Sequence, residues 1–178
     1  MTEAERFQRA AAFTLAHEGG DVNDGRDPGE ATSRGVTQFT YAGWLAKQGR
    51  STQPVALATD AEIAEVYRSL YWDKSGAAVF PPPLDLAFFD TCILFGVPWA
   101  TRLLQAILGV DRDGSVGPKV RAAIEAHDLR GLCTGLVAAR AGYHLCRGRY
   151  DHDASWWLNG WLARCRDLQR ACEKELPA

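Results

Sequence analysis

The chain has 178 residues, of which 47% are hydrophobic and 24% charged, so it is long and apolar enough for one domain with a real core and does not read as disordered. Its formal net charge of −2 gives no global basic field for nucleic acid or an anionic membrane. No apolar run is long enough for a transmembrane helix, and the opening "MTEAERFQRAAAFTLAHEGG" lacks the basic start and apolar run of a signal peptide.

In chain order, Phe7, Ala10, Ala11, Thr14, Leu15 and Glu18 share one face at helical spacing, which predicts a first helix ending near Glu18. Residues 21–37 resist a helical reading, and their glycines with Val22, Val36 and Thr37 suit a small hairpin or irregular β-loop. Thr59-Asp-Ala-Glu62 is a capping box, opening a helix with Ile63, Val66, Tyr67 and Leu70 on its inner face. The triple proline at 81–83 precedes an apolar helix, Leu84 to Phe95, and Gly96 and Pro98 separate that from "WATRLLQAILG". "DRDGSVGP" at 111–118 has Asp at alternate positions like part of a calcium loop, but Ala122 stands where the closing Glu would be, so it reads as a turn. Pro118 suits the first position of the next helix, Asp128 suits the cap of a long one over 129–149, and Gly160 to Glu175 reads as the last. The expected fold class is mainly α, with one short β-like insertion after the first helix. Cys92, Cys133, Cys146, Cys165 and Cys172 are odd in number, without CxxC spacing, and sit in apolar stretches; they are read as reduced, buried small hydrophobes, which implies synthesis in a reducing cytoplasm. The four histidines are too scattered for a metal site, and neither a metal nor an organic cofactor is expected.

The stretch "HEGGDVNDGRDPGEATSRGVT" (17–37) carries the chemistry. Glu18 shares the apolar face of the first helix and stands at its C-terminal end, where the macrodipole disfavours a further negative charge. Partial desolvation acts in the same direction, towards a raised pKa, which is what a general acid needs near neutral pH. A frayed, solvated helix end is the plain alternative. Asp27 follows nine residues on, with Thr32 and Ser33 five and six residues beyond it. A protonated acid, an ionised carboxylate and a hydroxyl can together cleave a glycosidic bond: one protonates the leaving oxygen, one supports positive charge or holds water, and one positions that water.

The stretch resembles glycoside hydrolase family 108, bacterial and phage N-acetylmuramidases with a signature close to H-E-G-G-Y, a polar spacer and D-P-G-G-x-T-x-x-G-I-T. The matching residues are His17-Glu18-Gly19-Gly20, Asp27-Pro28-Gly29, Ala31-Thr32 and Gly35-Val36-Thr37. "YRSLYWD" (67–73), "LDLAFFD" (84–90), "ATRLLQAILGV" (100–110), "DGSVGPKV" (113–120) and "WLNGWLARC" (157–165) extend the likeness to about residues 5–170. The resemblance implies a lysozyme-like, two-lobed helical fold. It places a catalytic lobe at 1–80 and at 81–178 a helical lobe resembling a peptidoglycan-binding region, the two expected to be integrated into one globular domain. Glu18 corresponds to the family's catalytic acid and Asp27 to the Asp of D-P-G, with Thr32 or Ser33 as the water-positioning hydroxyl. Ser33, Arg34, Tyr41, Trp72 and Asp90 are the candidate substrate-binding residues, the two aromatics because sugars present apolar C–H faces.

The chain departs from the pattern at Asp21, where an aromatic is usual, at Glu30, which replaces a glycine, and in "DTCILFG" (90–96). In that last segment Leu94-Phe95 stand in place of a polar Asn-Ser pair. The expected activity is hydrolysis of the β-1,4 bond between N-acetylmuramic acid and N-acetylglucosamine by a phage-type endolysin or delivered lytic enzyme. It would be a monomer acting on bacterial peptidoglycan, without nucleic acid or an integral membrane segment, reaching the wall through a holin or a secretion system. Two alternatives stand beside it: a peptidoglycan-binding protein with weak or no turnover, and a chitinase-like hydrolase.

Overall fold

A computed structural model describes residues 1–17, 31–150 and 157–176. Helices account for most of these residues, with one two-stranded antiparallel sheet, so the mainly α expectation holds. They are α1 (Glu3–His17), α2 (Gln38–Lys47), α3 (Asp60–Tyr67), α4 (Leu84–Phe95), α5 (Val97–Leu108), α6 (Pro118–Ala126), α7 (Leu129–Tyr150) and α8 (Leu158–Glu175). The strands β1 (Thr32–Ser33) and β2 (Val36–Thr37) lie between α1 and α2. No described helix is long and apolar enough to cross a membrane.

Several ends form as their residues predict. Thr59 accepts from the Glu62 backbone N–H while the Glu62 carboxylate accepts from Thr59 N–H at 2.8 Å, the reciprocal capping box that starts α3. That backbone donor, with Arg50 beside it, holds the Glu62 carboxyl down at about 2, well below the usual carboxylate range. Asp128 accepts from Gly131 N–H at 2.6 Å at the head of α7, and Pro118 occupies the first turn of α6. Sequence periodicity did not separate α2 from the preceding loop, nor show that residues Arg68–Trp72 take a π-helical turn after α3.

The chain divides into two compact units, Ala11–Leu70 and the combination of Met1–Ala10 with Tyr71–Ala178. In the larger unit α4 is the hub. Every residue from Leu84 to Cys92 is buried, which for a helix apolar on all sides means surrounding elements rather than a solvent face. Phe7 and Trp72 meet Phe89 edge-on at 6.0 and 5.5 Å, and Phe80 meets Phe88 at 4.8 Å. α7 and α8 pack along each other beside it.

Two carboxylates interrupt this apolar hub, and each is held by two arginines. Asp85 receives Arg6 at 3.2 Å and Arg9 at 2.6 Å, both from α1. Asp90 receives Arg140 of α7 at 2.9 Å and Arg164 of α8 at 2.7 Å. Buried charge is costly unless it is paired, so these contacts fix how α1, α7 and α8 sit on α4.

Four cysteines are buried, but Cys146 is exposed on the outer face of α7 beside Leu145, 51% exposed, which corrects the reading of all five as buried. Burial pushes the Cys92 thiol well above its ordinary range.

Replacement of Asp90 by Ala leaves two guanidinium groups in the interior without their shared carboxylate, and is expected to cost about 3–5 kcal/mol, read by urea denaturation. His144 of α7 gives a pH signature. Burial, reinforced by Arg140, Arg147 and Arg164, pushes its imidazole down to about 4 from 6.5. Between those values the unfolded chain binds the proton and the folded chain does not, so stability falls as pH drops through this window. The loss amounts to roughly 3 kcal/mol at its lower end. His144→Phe is expected to flatten that part of the wild-type stability profile measured from pH 7 to pH 4.

Candidate active site

Glu18 and Asp27 lie outside the described residues, as does most of the 21–37 segment. What is described is the end of that segment, and it is a tight hairpin. Thr32 pairs with Thr37 and Ser33 with Val36, leaving Arg34-Gly35 as the two-residue turn. Both turn residues have positive φ, 48° and 76°, as a type I′ turn requires. Glycine adopts this without cost, but a residue with a Cβ is strained by roughly 1–2 kcal/mol in the left-handed region.

Arg34 is held there from both ends. Its guanidinium reaches Asp60 and donates to the Ala58 carbonyl, while its own carbonyl accepts from the Tyr67 hydroxyl at 2.7 Å. The side chain expected to meet substrate is thus engaged in tying the turn to α3 and the loop before it. After the turn, Thr37 becomes the N-cap of α2, its hydroxyl accepting from Thr40 N–H at 3.2 Å. The last Thr of the Gly-Val-Thr motif therefore has a structural task.

Thr32 and Ser33 sit adjacent on β1, with opposite exposure. Thr32 is half-buried, whereas Ser33 is 1% exposed and its Oγ has no hydrogen-bond partner among the described residues. A buried hydroxyl without a partner is uncommon in proteins.

The other expected contacts are placed differently. Tyr41 is fully buried in α2, where its ring stacks on Trp44 at 6.0 Å and its hydroxyl accepts from Gln53 at 2.6 Å. Trp72 is fully buried in the other unit, its indole N–H donating to Glu3 at 2.6 Å. Neither aromatic offers a ring face to a sugar, because helical spacing put both in the core. Asp90 is the ion-paired centre of α4 described above rather than a group open to ligand. A cavity of about 680 Å³ between Phe80, Ile124 and Arg121 involves none of the expected residues.

The fold and sequence both have counterparts. The chain is similar to the solved "Structure of Brucella abortus SagA", with a TM-score of 0.77 and 28% identity over 96% of this chain and 95% of that one. No curated protein matches. Residues 11–96 match the family Glycosyl hydrolase 108, and the chain is a glycoside hydrolase. The matched span contains Glu18, Asp27, the hairpin and α4.

The turn anchors are open to test by denaturation. Tyr67→Phe removes one hydrogen bond to the hairpin and is expected to cost about 0.5–1.5 kcal/mol. Arg34→Ala removes both side-chain anchors yet keeps the strained backbone, and is expected to cost more than Tyr67→Phe.

Proposed function

We propose that this chain cleaves the β-1,4 bond between N-acetylmuramic acid and N-acetylglucosamine in bacterial peptidoglycan. The observation that carries the reading is the glycosyl hydrolase family match over residues 11–96, which encloses the whole acid-to-hydroxyl spacing of 17–37. In this mechanism Glu18 donates its proton to the leaving glycosidic oxygen. Asp27 stabilises the positive charge developing on the sugar or activates water, and Thr32 with Ser33 orients that water. The buried Ser33 hydroxyl, which has no partner among the described residues, supports the last assignment. Hydrolysis of an acetal by this route requires acid, carboxylate and water. The helical region after residue 80 serves wall binding in this reading, and the enzyme acts as a monomer delivered to the wall as a phage-type endolysin or through a secretion system.

Digestion of peptide-intact peptidoglycan followed by mass spectrometry tests it. Wild type is expected to release fragments with new muramic-acid reducing ends, and Glu18→Gln to lower that rate by about 10²–10⁴. Wall binding without release of sugar fragments by either protein would instead establish a binding protein. Cleavage confined to N-acetylglucosamine oligomers would establish a chitinase-like enzyme.

A further inference from the structure

A second surface suited to sugar lies in the larger unit, where α4 gives way to α5. Gly96, at φ 80°, turns the chain so sharply that Phe95 on the last turn of α4 and Trp99 on the first turn of α5 meet, with ring centroids 4.4 Å apart. Tyr143 of α7 sets against both, at 5.0 and 5.4 Å. His144 lies 5.3 Å from Phe95 and stacks on Trp161 of α8 at 4.9 Å and 26°. Five rings from four helices thus form one continuous cluster.

This cluster differs from the aromatic core around Trp72. Phe95, Trp99 and Trp161 are only half-buried, and Tyr143 is 40% exposed. His144, by contrast, is 4% exposed, and neither of its ring nitrogens has a hydrogen-bond partner among the described residues. The cluster also falls at Leu94-Phe95, where the family resemblance leads to a polar Asn-Ser pair.

We propose that these rings form a carbohydrate-binding platform for an N-acetylated aminosugar chain, in which a pyranose ring lies on the Trp99–Tyr143 surface. Flat apolar faces with polar tips match a sugar, which is apolar across its ring faces and polar around its edge. The chain is already a glycoside hydrolase, so a glycan is the ligand its chemistry calls for. The choice of an N-acetylated polymer rests on the function proposed above.

The test uses the full chain carrying Glu18→Gln, titrated with the hexamer of N-acetylglucosamine by calorimetry. Trp99→Ala and Tyr143→Ala in that background are each expected to weaken Kd by about tenfold, equivalent to ~1.4 kcal/mol. Trp99→Leu keeps apolar volume, guards against loss of folding, and is expected to weaken binding as well. Tyr150→Ala removes an 82% exposed ring elsewhere on α7 and is expected to leave Kd unchanged. The proposal is overturned if the folded Trp99 and Tyr143 variants bind like their parent, or if the parent does not bind the hexamer. Cleavage of peptidoglycan by wild type alongside either result would leave the hydrolase reading standing, whereas platform-dependent binding with no wall cleavage would remove that reading and keep the platform.

Discussion

The larger unit depends on charge placed inside an apolar helix. From Leu84 to Cys92 α4 is buried on every side, yet it carries Asp85 and Asp90, and neither carboxylate could remain there without partners. Arg6 and Arg9 reach one from α1, and Arg140 and Arg164 reach the other from α7 and α8. Apolar packing alone tolerates sliding and repacking at modest cost, whereas a fork-shaped guanidinium on a buried carboxylate has few acceptable positions. The arginines therefore set the register of three helices on one. Arg9 also bridges to Glu175 at the end of α8, linking the first and last described helices through the same centre.

The smaller unit uses arginine for another purpose. Arg34 occupies a backbone conformation that favours glycine, and its side chain and carbonyl are both tied to the 58–67 region. The strain is offset by these anchors, and the result is a short β1 whose alternation sends Thr32 and Ser33 to opposite sides. A two-residue strand has little hydrogen bonding of its own, so its precision comes from the turn on one side and the Thr37 cap on the other.

The aromatic residues sort into two populations by burial rather than by type. Tyr41, Trp72, Phe88 and Phe89 close the cores of their units and are absent from the surface. Phe95, Trp99, Tyr143 and Trp161 gather at the α4–α5 corner with their faces partly open, around a histidine whose nitrogens have no partner among the described residues. The segment that departs from the family pattern is thus the one that builds the exposed cluster.

By itself, the sequence determined the local elements. The Thr59 capping box, the Pro118 start, the Asp128 cap and the Leu84–Phe95 helix all formed where their residues indicated, because caps, prolines and apolar period act over a turn or two of chain. The motif of the 17–37 stretch was legible as a family resemblance, and the family match spans it, since family motifs are contiguous. Only the tertiary structure decided which polar and aromatic side chains face inward. Arg34 became an anchor, Asp90 an ion-pair centre, Tyr41 and Trp72 core, Cys146 surface, and Phe95 part of an open cluster. Those outcomes depend on partners tens of residues away, and helical spacing is the same for a ring that fills a core and a ring that meets a ligand.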